Sequence, residues 1–327
     1  MNTLRRTTYK CSSTESTTPV DWESNWLKTT TLNYQTDNSI RTTQLLNVGC
    51  GRRFHPAWTN IDLESYDPSV SEHDITQGLP FGDNQFDAVY HSHVLEHLEP
   101  HDGEKLLSEC YRVLRPGGVL RIVVPNLEQI ATLYLNYHRE AWSGEKGAAI
   151  NYNWMKLELL DQLVRSHSGG AMGQYMVGDE IKNSGFVRSR VGDEFSRCQD
   201  MGNSRDIDPQ RVATFSERVS ERVAKAKLDT TRWIVRRLLG KGALRSFDEG
   251  LFRNQGEIHR WMYDRFSLKT LCTEHGFTNF KVQTATDSSI ADYESFELDS
   301  ENGNVRKPDS LFVECRKLEA RSLRKAA

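Results

Sequence analysis

The chain has 327 residues, with 42 basic and 45 acidic side chains, a formal net charge of −3 and an isoelectric point near 6.4. This length allows one large domain with an insertion, or two domains. The balanced charge gives no global sign of a nucleic-acid-binding protein. We find no apolar stretch long enough to predict a membrane-spanning helix.

The cysteines and the N-terminal residues indicate the cellular compartment in which we expect the protein. Residues 1–19 are rich in Ser and Thr and lack the apolar region of a signal peptide. We expect residues 1–39 to form a partly disordered N-terminal tail and residues 319–327 a C-terminal tail. The cysteines form no C-x-x-C pair, which favours a reducing compartment and a cytoplasmic protein; they are Cys11, Cys50, Cys110, Cys198, Cys272 and Cys315.

Residues 45–51, Leu-Leu-Asn-Val-Gly-Cys-Gly, are the first informative segment. They predict a buried strand that ends in a glycine turn, and open α/β sheets bind ligands at the carboxyl ends of strands. Because glycine has no Cβ, Gly49 and Gly51 allow a tight turn and the close approach of a ligand. A second predicted strand ends at Asp62, whose carboxylate can accept hydrogen bonds from both hydroxyls of a ribose. Alone, the glycines fit a turn without a ligand equally well.

The spacing within this segment distinguishes between cofactors. A dinucleotide site needs a third glycine and an acid about 20 residues further on. Arg53 stands in place of that glycine, Asp62 comes too early, and Pro56 interrupts the helix whose N-terminus would bind a pyrophosphate. The sequence therefore disfavours NAD and favours a cofactor with a ribose but no phosphate, such as S-adenosylmethionine.

The following segments alternate between strand and helix patterns. Residues 104–114 carry apolar side chains at helical spacing and stop at Arg-Pro-Gly-Gly, residues 115–118. Further predicted helices cover residues 127–141 and the stretch from Ser267 to the stop at Gly276. Strands are predicted over residues 70–74, 88–91, 119–124, 280–283 and 311–315.

In this order, a set of motifs resembles the class I S-adenosylmethionine-dependent methyltransferases, and more narrowly the type 11 methyltransferase domain family. The resemblance covers about residues 42–126 and resumes near residue 259. The motifs are Asn-Val-Gly-Cys-Gly at 47–51, Asp62, Asp74-Ile75, Leu-Pro-Phe at 79–81, Phe-Asp at 86–87, His-Val-Leu-Glu-His-Leu at 93–98 and Tyr-Arg-Val-Leu-Arg-Pro-Gly-Gly at 111–118.

The resemblance implies a fold and a domain organisation. The fold is α/β, with a Rossmann-like, doubly wound seven-stranded sheet, an antiparallel last strand and a mainly helical insertion. Residues 40–141 and 257–318 would form the methyltransferase domain. Residues 142–256 would be the insertion, in the place where such enzymes commonly carry a lid over the substrate.

The resemblance also implies roles for single residues toward S-adenosylmethionine. Gly49 and Gly51 would lie against its methionine part, and Asp62 would bind the ribose. Asp74 and the Ile75 backbone would contact the adenine. Family members usually carry an acid near the position of Asn47, and either Arg52 or Arg53 could bind the cofactor's carboxylate or stay solvated. The full set of predicted cofactor-binding residues is Asn47, Gly49, Cys50, Gly51, Asp62, Leu63, Asp74, Ile75, His91 and Ser92.

We predict methyl transfer to an oxygen or nitrogen atom of a small-molecule, lipid or sugar acceptor. An oxygen acceptor of high pKa would need a base, and histidine suits this task near neutral pH. His93 and His259 are the candidates, although either could be a hydrogen-bonding packing residue. The alternative is a non-catalytic scaffold or S-adenosylmethionine-binding protein that kept the fold.

Residues 93–97 also match the H-x-x-E-H pattern of a group of zinc peptidases. The two histidines would share one face of a helix. This segment directly follows a strand, and the sequence offers no convincing third ligand. We therefore predict no metal site.

The predicted insertion contains two helices around a long loop. Residues 151–164 form the first helix, with Trp154, Leu157 and Leu160 along one face; residues 166–208 form the loop. Residues 209–239 form a basic amphipathic helix that could lie on a membrane, bind an anionic substrate, or pack its apolar face on the domain. We favour packing, and peripheral membrane contact through residues 211–241 stays open.

Overall fold

The computed structural model describes residues 43–319, apart from residue 66, residues 179–180 and residues 204–214. The predicted tail over residues 1–39 lies outside the described residues, as does all but the first residue of the C-terminal tail. The strands are β1 (Leu45–Val48), β2 (Thr59–Asp62), β3 (Val70–Glu72), β4 (Phe86–Ser92), β5 (Leu114–Pro125), β6 (Phe277–Gln283), β7 (Ser300–Glu301), β8 (Asn304–Val305) and β9 (Ser310–Lys317).

Within the described residues, seven strands form one sheet in the order β3-β2-β1-β4-β5-β9-β6. Strands β1 to β5 pair in parallel, and β9 is antiparallel to both of its neighbours, β5 and β6. Strands β7 and β8 form a separate small hairpin. The predicted seven-stranded α/β sheet with an antiparallel last strand is confirmed.

Helices cover the sheet and build the insertion. Pro100 opens α1 in its first turn, where the missing N–H costs nothing. Asp264 and Ser267 form a reciprocal capping box at the start of α8. The helices are α1 (Pro100–Val113), α2 (Leu127–Trp142), α3 (Ala148–Val164), α4 (Gly170–Met176), α5 (Ser184–Val191), α6 (Asp193–Asn203), α7 (Phe215–Arg253) and α8 (Arg265–Glu274).

Both faces of the sheet are buried, which explains why its central strands read as continuous apolar runs. Along β1, Leu46 and Val48 join a cluster with residues of α1 and α8. Leu45 instead joins a second cluster, with Trp58 and Tyr293. The sheet therefore presents the carboxyl ends of β1 and β4 from a rigid, well-packed base.

The third strand is shorter than predicted. β3 ends at Glu72, so the prediction that a strand reaches Asp74 is wrong. Asp74 instead caps a short 3₁₀ turn, Ile75–Gln77, because its carboxylate accepts hydrogen bonds from the backbone N–H and hydroxyl of Thr76.

The predicted loop over residues 166–208 is also wrong, because α4, α5 and α6 lie there. These helices have few apolar residues each, and their pattern becomes meaningful only when they pack together. The buried side chains form a small core that includes α2 and α3: Ile130, Trp154, Met155, Met172, Met176, Val187, Val191 and Phe195.

The predicted apolar face of α3 is only partly correct. Trp154 is buried, but Leu160 is exposed. Glu158 is buried in its place because Nη2 of Arg190 donates to it at 2.6 Å, and Nε1 of Trp154 donates to it at 2.8 Å. Polar pairing inside the insertion thus replaced the apolar contact that the spacing predicted.

Helix α7 is broken at Gly240, which has φ +86° and ψ −179°. Nε of Arg232 donates to Oδ1 of Asp248 at 2.7 Å, so the segments before and after the break contact each other. Trp233 and Leu238 are 65% and 76% exposed. The favoured prediction, that the apolar face of this helix packs on the domain, is wrong for these side chains. No helix in the described part of the chain is long and apolar enough to span a membrane.

Candidate active site

The glycine turn after β1 is tightly held against β2. The backbone N–H groups of Gly49 and Cys50 both donate to the carbonyl of Ile61, at 2.9 and 3.1 Å. Gly49 has φ +63°, and a Cβ there would collide with Val94. Only glycine therefore fits this position without strain. Burial raises the pKa of the Cys50 thiol to about 12, so Cys50 is a packing group and not a nucleophile at neutral pH.

Asp62 ends β2 directly beside the glycine turn. Its Oδ2 accepts a hydrogen bond from the backbone N–H of Gly51 at 2.7 Å. This contact joins the predicted ribose-binding acid to the predicted methionine-binding turn. Leu63 is exposed next to it, whereas the Asp74 carboxylate is engaged in capping its own turn. Ile75, at the start of that turn, packs against the core cluster beneath.

A cavity of about 250 Å³ lies at the carboxyl ends of β1 and β4. Six of the predicted site residues line it, and Asp62 is joined to it through Gly51. Leu63, Asp74, Ile75, His91 and His259 do not line it. The predicted residues in the lining are Asn47, Gly49, Cys50, Gly51, Ser92 and His93.

Asn47 lies buried in the wall of this cavity. Its Nδ2 donates to the carbonyl of Arg53 at 3.1 Å and to Oδ1 of Asn60 at 3.2 Å. Its own Oδ1 has no hydrogen-bond partner among the described residues. A buried acceptor without a donor is costly, so this oxygen marks a place where a ligand donor would be stabilised.

His93 is held in a defined orientation at the cavity. Its backbone has φ +54°, directly after β4. Nδ1 lies 2.9 Å from Oε1 of Glu96, and Nε2 lies 2.9 Å from Oγ of Ser310. Burial, and secondly the charge of Lys307, lower the pKa of His93, although Glu96 opposes this shift. The imidazole is therefore neutral at pH 7 and has a lone pair to accept a proton.

His91 and His259 lie elsewhere. His91 is completely buried, neither of its ring nitrogens has a hydrogen-bond partner within the described ranges, and burial lowers its pKa to about 4. The ring of His259 lies edge-on to that of His97, with centroids 4.9 Å apart, and burial lowers its pKa to about 3. These positions do not support direct cofactor contact by His91 or proton abstraction by His259.

The cavity also has a cationic wall that sequence reasoning missed in part. Arg306 lies 3.4 Å from a carboxylate oxygen of Asp193 and 3.6 Å from one of Glu301. Arg53 is a sequence-based candidate, but no motif indicates Arg197, Arg306 or Lys307, because Arg197 lies in the segment predicted as a loop and the other two lie in the irregular stretch just before β9. The basic residues of the lining are Arg53, Arg197, Arg306 and Lys307.

Comparison with known proteins agrees with this geometry. Residues 46–122 match the family model of a methyltransferase domain. This segment is a class I methyltransferase domain. It contains most of β1, all of β2, β3, β4 and α1, and most of β5, and therefore the glycine turn, Asp62 and His93.

Two curated relatives match parts of the chain. A probable S-adenosylmethionine-dependent methyltransferase from Mycolicibacterium smegmatis is 36% identical over 100 residues, which is 25% of this chain and 38% of that protein. The probable methyltransferase ltbC from Aspergillus luteorubrus is 46% identical over 50 residues, or 15% of this chain and 18% of that protein. The chain thus spans less than two fifths of the length of either relative.

A solved structure matches over a longer range at lower identity. The SAM-dependent methyltransferase from Archaeoglobus fulgidus is 13% identical, and the match covers 84% of this chain and 86% of that one with a TM-score of 0.34.

Proposed function

We propose that this protein binds S-adenosylmethionine and transfers its methyl group to an oxygen or nitrogen atom of a small-molecule, lipid or sugar acceptor. The observation that carries the proposal is the meeting of the glycine turn, Asp62 and the His93–Glu96 pair at one edge of the sheet. Such crevices, at the carboxyl ends of parallel strands, are where this architecture binds ligands.

The residues present fit the cofactor. The bare backbone at Gly49 leaves room for its methionine part, and the unpaired Oδ1 of Asn47 suits its ammonium group. From the described residues, Oδ1 of Asp62 accepts a single long bond of 3.3 Å, from the Glu64 N–H, which a ribose hydroxyl could replace. The bound sulfonium supplies an already activated methyl group. The protein then mainly aligns donor and acceptor, an effect worth about 7–11 kcal/mol.

His93 would accept the acceptor's proton at Nε2. This nitrogen lies 2.9 Å from the Ser310 hydroxyl, which an acceptor hydroxyl could replace. Glu96, next to Nδ1, would stabilise the imidazolium formed when Nε2 takes up the proton. Because a positioned base contributes typically 10²–10⁴-fold, we expect His93 to affect turnover much more than cofactor binding.

The cationic wall favours an acceptor that carries a negative charge. Lys307 forms no ion pair with any residue that the structure describes, so its ammonium is available to a ligand. Arg197 belongs to α6, and its place in the lining supports the proposal that residues 142–256 act as a substrate lid.

We also propose peripheral membrane contact through α7. The tip at Gly240 carries the exposed apolar residues Leu238 and Leu239, next to the basic residues Arg236, Arg237 and Lys241. Apolar residues that enter the headgroup region, flanked by cations, suit an anionic lipid surface. Sedimentation with phosphatidylserine vesicles tests this contact, which Leu238→Ser should weaken and exposed Val164→Ser should not. Equal loss in both variants would argue against it.

The compartment is a related proposal. The described cysteines Cys50, Cys110, Cys198, Cys272 and Cys315 are free thiols, which supports a reducing compartment such as the cytoplasm.

The first test is calorimetric titration with S-adenosylhomocysteine. We expect wild type and His93→Gln to bind alike, and Asp62→Ala to lose most of its affinity. Glu64→Ala, an exposed acid two residues later, is the matched control and should bind normally. Once a methyl acceptor has been identified, His93→Gln should lower kcat for its methylation about 100-fold.

The outcomes separate the two readings of the fold. Absence of binding by the wild type would sink the proposal. Binding by the wild type that Asp62→Ala leaves intact would refute the ribose contact. Normal binding without turnover on any acceptor class would instead favour the non-catalytic S-adenosylmethionine-binding protein.

A further inference from the structure

We propose that Glu96, His97 and His259 bind one divalent transition-metal ion, with zinc as the first candidate. Each residue offers one ligand atom, and these atoms all lie within 4.8 Å of one another. The H-x-x-E-H segment supplies two of them. The third comes from a residue more than 160 positions later, which is why the sequence alone gave no convincing third ligand.

Glu96 is the centre of this cluster. Its side chain is completely buried, and no hydrogen-bond donor in the described residues is aligned with either carboxylate oxygen. Its close contact, at 2.9 Å, is with the neutral imidazole of His93; no lysine or arginine within the described ranges pairs with it. A buried carboxylate is costly unless a positive charge compensates it. A divalent ion would supply that charge.

His97 is oriented as a metal ligand. Its Nδ1 lies 3.0 Å from the carbonyl oxygen of Ile258. Because a carbonyl can only accept, Nδ1 carries the proton and Nε2 keeps its lone pair. A backbone carbonyl that fixes the tautomer in this way is the usual outer partner of a metal-bound histidine.

The segment that carries His259 is fixed by its backbone. The N–H groups of Arg260 and Trp261 donate to the main-chain carbonyl of Glu96 at 2.6 and 3.2 Å. The N–H of His259 donates to the carbonyl of Gln162 at 3.0 Å. No hydrogen bond to its ring is found in the described part of the chain, so the imidazole has no other role in packing that requires its polarity.

Two histidines and one carboxylate define the class of metal. This ligand set occurs in catalytic zinc sites, with a fourth position open to water, and in non-haem iron(II) sites. Mg²⁺ and Ca²⁺ prefer oxygen ligands and fit it poorly. The ion would share Glu96 with His93, so its binding would also influence the orientation of the residue beside the cavity.

The test uses the full chain, stripped of metal with a chelator and then equilibrated with Zn²⁺ or Mg²⁺. Elemental analysis after dialysis should give one equivalent of zinc and no retained magnesium. Glu96→Gln and His259→Gln should each weaken zinc binding by about 100-fold. His101→Gln, a highly exposed histidine next to Asp102, should keep the full equivalent. Substitution with Co²⁺ should give the visible absorption of a four-coordinate site.

Two results would overturn the inference. One is the absence of retained zinc. The other is zinc retention that Glu96→Gln and His259→Gln leave unchanged, as expected if other groups of the chain bind the metal. Circular dichroism checks that both variants fold. If one of them does not fold, His97→Gln is measured in its place, because His97 is less buried. Metal content is measured independently of S-adenosylhomocysteine binding, so failure here leaves the proposed methyl transfer intact, and the reverse also holds.

Discussion

Arg121 and Glu96 are both completely buried charged residues, but their surroundings differ in almost every respect. Nε of Arg121 donates to Oδ2 of Asp299 at 2.8 Å, and Nη1 donates to Oε1 of Glu314 at 3.0 Å. The guanidinium also lies 4.4 Å from the ring centroid of Tyr293. Glu96 has one close contact, with the neutral imidazole of His93, and no aligned hydrogen-bond donor among the described residues.

The Arg121 network explains how a long irregular segment is fixed to the sheet. The backbone carbonyls of Thr284 and Asp287 accept hydrogen bonds from the same guanidinium. The hydroxyls of Tyr90 and Tyr293 both donate to Asp299, at 2.6 and 2.7 Å. Every donor and acceptor in such a network is occupied, so it specifies one structure.

The Glu96 cluster shows the opposite arrangement, and the contrast separates structure from function. Buried polar groups are almost always satisfied in folded proteins, so unsatisfied ones need a reason. Around Arg121 the protein provides all partners itself. Around Glu96 and along the cavity wall, at Asn47, partners are missing where a ligand is proposed. The unpaired atoms of Glu96 and Asn47 thus coincide with proposed ligand sites, whereas those of His91 and Asp309 lie outside them.

The largest expected effect is that of Arg121→Met. Removing the guanidinium leaves Asp299 and Glu314 buried without a counter-charge, which typically costs 3–5 kcal/mol. We expect a loss of about that size in the free energy of unfolding, measured by urea denaturation. Arg265→Met is the control: Arg265 pairs with Glu128 while both side chains are exposed, so its loss should cost at most about 1 kcal/mol. Similar losses in both variants would contradict the structural role of the network.

The two regions also differ in how far sequence could predict them. The glycine turn and Asp62 are close in sequence, and local chemistry fixes both, so their place was foreseeable. The Arg121 network joins residues 121, 299 and 314, and the proposed metal site joins residues 96 and 259. No periodicity or spacing encodes such pairs. For the same reason α4 to α6 were missed, since Met172 and Val187 become a recognisable core only when packed on Trp154.

A second prediction concerns Asp309, which is buried with Oδ1 unpaired among the described residues. Burial, and secondly the charge of Glu158, raise its pKa to about 7. The unfolded chain releases this proton near pH 4, so the folded state loses stability as pH rises from about 4 to about 7. Asp309→Asn removes this loss and should stabilise the protein by about 2 kcal/mol at pH 8, and by less at pH 5.

Thermal unfolding at both pH values measures this difference. Asp200→Asn removes an exposed acid and should change the melting temperature little at either pH. If Asp309→Asn instead destabilised the protein at pH 8, the carboxylate would have to be ionised and favourably paired. Asp309 would then be a buried charge with its partners in place, like Asp299 and Glu314 beside Arg121.

The smallest expected effect is that of His91→Leu, and it tests the comparison most directly. Both ring nitrogens of His91 lack partners in the described part of the chain, so an apolar side chain of similar volume removes two unsatisfied groups and no hydrogen bond. We expect the free energy of unfolding to change by less than about 1 kcal/mol in either direction. His91→Gln, which keeps polar atoms at the site, should be the less stable of the two variants in urea. A loss with Leu as large as that of Arg121→Met would mean that His91 makes an essential polar contact in the folded protein, and would contradict its description as an unpaired buried group.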